Sequence, residues 1–163
     1  PSYTDTKRDI AIVSAEAGAN RTETGNSHDD NELSEWANDG RLSTAWITYT
    51  LAEKASVDDI CIKLNGWRSR SYPLEVYAGD ELIWSGNTEK SLGYVHLEVD
   101  KPVCSDKITV RLKGSTTDKD AFGQIVEVAG GAANDMEKKA KEGKGKHNLR
   151  IIEIEFLESI KSR

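Results

Sequence analysis

Ala37-Asn38-Asp39-Gly40-Arg41-Leu42-Ser43-Thr44-Ala45-Trp46 stands near the start of the chain, and Ile152-Glu153-Ile154-Glu155-Phe156 near its end. In the first stretch Asp39-Gly40 is a turn, followed by a hydroxyl at Thr44 and an aromatic at Trp46. In the second, three apolar side chains alternate with two carboxylates, the period of a strand with one buried face. Together they suggest two ends of one β-sandwich, with an acidic last strand lying beside an early oxygen-rich turn. Calcium takes roughly six to eight oxygen ligands in flexible geometry, and carbonyls serve as well as carboxylates. Asp39, Thr44 and Glu153 are therefore candidates to hold a hard cation; a plain turn and a surface carboxylate fit the same residues.

The same period-two pattern recurs between these ends. Strands are expected over 9–14, 45–51, 58–64, 73–78, 81–84, 94–99, 107–112, 124–128 and 148–157. The inward faces would be Ile60, Ile62 and Leu64; Ile108, Val110 and Leu112; and Ile152, Ile154 and Phe156. Clean alternation implies antiparallel sheets with one buried face each. Gly79-Asp80 is expected to close a tight hairpin, because glycine there supplies a positive φ. The segment 15–35 is long and polar, as binding loops at the end of a sandwich are. The segment 133–145 reads as an exposed insertion with weak helical character. The expected fold is all-β, a single antiparallel jelly-roll β-sandwich over 1–163.

Composition narrows the function. At 163 residues with 37% hydrophobic and 31% charged, the chain suits one globular domain, and no apolar run approaches the ~20 residues of a membrane helix. A net charge of −6 argues against nucleic acid, which needs a basic face; the basic run at 138–146 is too local to reverse it. The chain opens at Pro1 with no signal peptide, and so reads as a piece excised from a larger protein. Cys61 and Cys104 allow one disulfide without requiring it. There is no nucleophile elbow, phosphate loop or zinc-spaced cluster, and His28, His96 and His147 are scattered. A carboxylate pair at glycosidase spacing would mean little among 28 acidic residues. An enzyme is not expected.

The Ala-x-Asp-Gly-x-x-x-Thr-x-Trp turn at 37–46, the Glu153-Ile154-Glu155 strand and the intervening Ser71-Tyr72-Pro73-Leu74-Glu75-Val76-Tyr77 stretch resemble the discoidin-like, coagulation-factor type C family. This is the galactose-binding-like fold, which includes carbohydrate-binding module family 32. The resemblance spans roughly residues 10–157. It implies a structural calcium held by the side chains of Asp39, Thr44 and Glu153 and by backbone oxygens of Trp36, Arg41, Thr44 and Ile152. It also implies a non-catalytic accessory domain of a secreted bacterial glycoside hydrolase of β-galactosidase or hexosaminidase type. The partners would be a galactose- or N-acetylhexosamine-type glycan and a parent catalytic domain, in the periplasm or outside the cell.

Sugars present an apolar ring face flanked by hydroxyls, so a site needs an aromatic platform beside rigid donors. In the 65–72 loop Trp67 offers the platform, Arg68 and Arg70 the donor forks, and Tyr72 a second aromatic. His28 in the long loop offers a further hydrogen bond. The competing reading is a domain that packs on its catalytic partner and binds no sugar, since Trp67 and Tyr72 are nearly the only loop aromatics. Trp46 is expected in the core.

Overall fold

The computed structural model describes residues 6–66, 70–88, 93–118 and 147–160. Among these residues twelve strands run in chain order: β1 Thr6–Ile10, β2 Ile12–Ala17, β3 Trp36–Ala37, β4 Trp46–Ser56, β5 Asp59–Leu64, β6 Arg70–Ser71, β7 Pro73–Ala78, β8 Glu81–Asn87, β9 Tyr94–Glu98, β10 Cys104–Leu112, β11 Thr117–Asp118 and β12 Arg150–Ile160. One sheet has the order β1-β12-β5-β9, with β3 also on β12, and the other the order β2-β4-β10-β7-β8. A short β11-β6 ribbon stands apart from both. Every pairing is antiparallel. This is the expected β-sandwich.

Alternation places the core between the sheets. Ile60, Ile62 and Leu64 of β5 meet Ile108, Val110 and Leu112 of β10 in one buried cluster with Tyr49, Leu74, Val76 and Phe156. The Tyr49 and Phe156 rings meet edge to face at 5.4 Å, joining the sheets through an aromatic pair. Gly79 turns β7 into β8 with φ +61, and Gly40 turns the Asp39 segment with φ +93. Both are positions where a left-handed backbone favours glycine.

Three expectations need correction. The strand expected at 9–14 is two strands: β1 pairs with β12 in one sheet and β2 with β4 in the other, the chain crossing at Ala11. Alternation cannot report this, because Ile10 and Ile12 keep the period while the strand changes sheet. Second, Trp46 is not core. Ala45, Ile47, Tyr49 and Leu51 are buried, so the period turns Trp46 to the outer face, where it is half-buried. Third, the pairing of β12 with β5 slips between Ile151 and Glu153. A bulge re-aims side chains, and Ile151 rather than Ile152 is fully buried. The strand expected at 124–128 and the insertion at 133–145 lie outside the described residues. Cys61 is half-buried, Cys104 is exposed, and both are free thiols.

One close approach fixes β2 beside the turn. A Cβ built on Gly18 would lie 2.5 Å from the Thr44 carbonyl oxygen. Gly18→Ala should therefore force the two segments apart and lower stability by about 2 kcal/mol, the scale of overpacking; a denaturant melt measures it.

Candidate functional site

The 65–72 loop is held at both ends. At its entrance the Asn65 amide donates to Glu35 at 2.7 Å, and the same carboxylate accepts from Arg150 Nε at 2.7 Å. At its exit Tyr72 is fully buried, and its hydroxyl donates to the Asn65 carbonyl at 2.6 Å. The Tyr72 amide donates to Thr88 Oγ1 at 3.0 Å, and Arg70 N closes onto the Gly66 carbonyl at 2.8 Å. Outside this frame, Arg70-Ser71 pairs with Thr117-Asp118.

Tyr72 is thus a loop anchor. Its ring is packed among core residues and offers no face to a ligand, correcting the expectation that it lines the sugar site. Residue 72 precedes Pro73 at the start of a strand, where alternation points it inward with Leu74 and Val76. Tyr72→Phe removes one bond between the loop's two ends and should cost about 1 kcal/mol, read as a small drop in melting temperature. Arg70 is half-buried at the loop's exit. Trp67 and Arg68 lie outside the described residues.

His28 is elsewhere. It lines a cavity of about 330 Å³ with Asp9, Asp30, Glu153 and Glu155, and the lining includes none of the described residues of the 65–72 loop. Its ring meets Tyr49 edge-on at 6.0 Å, and burial lowers its pKa. Glu153 is 5% exposed and accepts a hydrogen bond from the Asp30 backbone at 3.1 Å. Burial, then the charges of Asp29, Asp30 and Glu155, push its carboxyl up to about 7 despite that bond. The cavity joins a histidine whose pKa is lowered by burial to a carboxyl that titrates near neutrality.

The Asp39 turn is built differently from a calcium shell. The Thr44 hydroxyl donates to Asp39 Oδ1 and holds that carboxyl below its usual range. Asp39 also faces Arg41 Nε at 3.5 Å. The centre of the turn is taken by the buried Asn38 amide. Its Nδ2 donates to the Arg41 carbonyl at 2.8 Å and the His147 carbonyl at 3.0 Å, and lies 3.3 Å from Thr44 Oγ1. Its Oδ1 accepts from Leu149 N at 2.8 Å.

Two of the oxygens expected on a cation, those of Arg41 and Thr44, therefore face an amide nitrogen. The Thr44 carbonyl packs against Gly18. The expected carboxylate of Glu153 is not at hand, because β12 meets this region at Arg150 opposite Ala37. Three residues further on, Glu153 lies about 10 Å along the strand. Trp36 is fully buried, its ring N–H donating to the Ala19 carbonyl at 3.1 Å. Among the described residues no three His, Cys, Asp or Glu side chains cluster to hold a metal. Of the residues expected to form a calcium shell, Asp39 and Thr44 have their side chains bonded to each other, and Glu153 lies at the His28 cavity instead. The motif holds as a turn; the sequence signal for its closure was Asn38, a polar residue that the motif leaves unspecified.

No family model matches the chain, and no curated protein matches it either. Solved structures do. A truncated AlyQ with family 32 carbohydrate-binding and alginate lyase domains superposes at TM-score 0.69 and 13% identity over 98% of this chain, which spans 35% of that protein. The AlyQ carbohydrate-binding module alone, in complex with 4,5-unsaturated mannuronic acid, gives 0.65 at 14% identity, covering 91% of this chain and 97% of the module. The family 32 module of NanJ from C. perfringens, in complex with galactose, gives 0.56 at 14% identity, covering 94% and 100%. Two antiparallel sheets in this order, matched end to end by free-standing modules, give the chain the discoidin-like β-sandwich fold of the family 32 carbohydrate-binding modules.

Proposed function

We propose that this chain is a non-catalytic glycan-binding module that keeps a secreted bacterial carbohydrate-active enzyme, of glycoside hydrolase type, near its substrate. The observation that carries this reading is the end-to-end likeness to isolated modules, with 94% of this chain on the whole NanJ module that was solved with galactose. Trp67, Arg68 and Arg70 serve as the sugar-contacting residues, on a loop whose stem is fixed by Tyr72, Glu35 and Arg150. That frame supports the assignment because both ends of the segment that carries these residues are held in place. A galactose- or N-acetylhexosamine-type sugar is the proposed ligand, and affinity should be weak, since one small polar sugar buries little area.

Calorimetry with galactose and N-acetylgalactosamine tests it, with Trp67→Ala and Arg70→Ala alongside the intact chain. Saturable binding that the variants weaken without lowering the melting temperature supports the module. No heat with either sugar at millimolar concentration, together with a silent glycan array, overturns it.

A further inference from the structure

The outer face of the β2-β4-β10-β7-β8 sheet carries a groove of about 520 Å³, lined by Ser43, Trp46, Tyr77, Asp80, Thr109 and Arg111, with Gly79 at its rim. Register fixes how these residues stand. Arg111 of β10 lies between Trp46 of β4 and Glu75 of β7, and Thr109 between Thr48 and Tyr77. Trp46 and Tyr77 are thus two strand spacings apart sideways and two residues apart along the sheet, about 12 Å between backbone positions. Between them the floor is polar and already satisfied: the Thr48 and Thr109 hydroxyls bond each other at 2.7 Å.

The aromatic at one end is positioned. The Tyr77 hydroxyl donates to Glu75 Oε1 at 3.1 Å. The same carboxylate oxygen stands 3.9 Å from Arg111 Nε, a loose contact that leaves guanidinium donors for a ligand. Asp80, exposed at the far rim, supplies acceptors, and Ser43 a hydroxyl at the near one. None of these residues belongs to the 65–72 loop.

We infer that this groove is a second glycan surface, one that takes a linear neutral oligosaccharide along the sheet face, with Trp46 and Tyr77 as ring platforms and Arg111 and Asp80 bonding the hydroxyls between and beyond them. The inference rests on the glycan-binding reading and adds a chain-length requirement to it. The spacing of the platforms exceeds one pyranose ring, so the two aromatics engage different sugars of one chain. A flat ring face covers apolar carbon while the equatorial hydroxyls meet donors and acceptors at the edges. The charges around the groove balance: Arg111 faces Glu75, and Asp80 at the rim is matched by Lys107, outward on β10 beside the same turn, while the whole chain carries −6. An anionic polymer would find no net attraction here.

Calorimetry with cello-, manno- and galacto-oligosaccharides, from di- to hexasaccharide, tests this on the intact chain, with an oligogalacturonate of matched length as the anionic probe. Affinity should rise with length until the groove is filled. Tyr77→Ala and Trp46→Ala should each weaken the longer ligands about tenfold, the size of losing one aromatic anchor. Tyr77→Phe keeps the ring and should bind like the parent, and a melting curve for each variant separates lost binding from lost fold. Sugar binding that is independent of length and intact in folded Trp46→Ala and Tyr77→Ala variants overturns the groove while leaving the loop module standing. Binding confined to the oligogalacturonate overturns the neutral-chain assignment. Failure of every sugar, monosaccharides included, overturns both readings together.

Discussion

Asn38→Ala should be strongly damaging, lowering the unfolding free energy by about 4 kcal/mol. For a chain of this size that moves the melting temperature by about 10 °C. The size follows from what the amide touches. It ties the Arg41 and His147 carbonyls through its nitrogen and the Leu149 amide through its oxygen, and Asn148 Nδ2 leans on its backbone carbonyl at 3.1 Å. Alanine keeps the backbone carbonyl but none of the side-chain bonds, and it takes from the His147 carbonyl and the Leu149 amide the partner they have at this buried residue. The companion expectation concerns cations. Because an amide closes this turn, chelator should leave the parent melting curve where it is, and added calcium should not rescue Asn38→Ala. A ligand that binds only the native state must raise stability by mass action. A parent curve that drops by several degrees in chelator would return Asp39 and Thr44 to the role of metal ligands.

Glu153→Gln should stabilise the domain at pH 8 by about 2 kcal/mol and leave it unchanged near pH 4. The sign follows from the direction of the shift. The carboxyl's pKa rises from 4.5 to about 7 on folding, so the folded state binds the proton more tightly than the unfolded chain does. Its contribution is fully present below about pH 4.5 and is lost as pH rises through 7. The full shift would be worth more, but the cavity is open to water, which screens part of it. Glutamine mimics the protonated acid and can still accept from Asp30 N. His28 works in the opposite sense. Its pKa is lowered by burial, so stability falls as pH drops below the ordinary histidine value of 6.5. Melting curves of the parent and of Glu153→Gln from pH 4 to pH 8 separate the two. A difference between them that does not grow with pH would mean that Glu153 is ionised in the fold at little cost.

The sandwich was legible because burial is periodic. Ile60, Ile62 and Leu64 and their counterparts on β10 alternate without interruption, and each was assigned to the correct face. What periodicity could not carry were the places where a strand keeps its alternation but changes partner or slips. Ile10 and Ile12 straddle a change of sheet, and the bulge after Ile151 moves Glu153 away from the turn it was expected to serve. Site residues were legible as a type but not as a place. His28 and Glu153 share a cavity because the chain folds back between them, a contact 123 residues apart at Asp30 that no local pattern records. Tyr72 reads as a loop aromatic by its neighbours in sequence, and is claimed by the core through the strand that follows it. Trp46 shows the reverse: a motif residue that alternation itself turns outward, once Ile47 and Tyr49 are seen to face in.

The first and last strands lie against each other, Thr6 opposite Ile160 and Ile10 opposite Phe156. The polypeptide therefore comes in and goes out at one corner, a strand's width apart. Closing that corner with a few residues and reopening the chain at the turn around Asp100 and Lys101 would yield a circular permutant with the same two sheets. It also means that the domain can be spliced into a surface loop of another protein without prying that loop open.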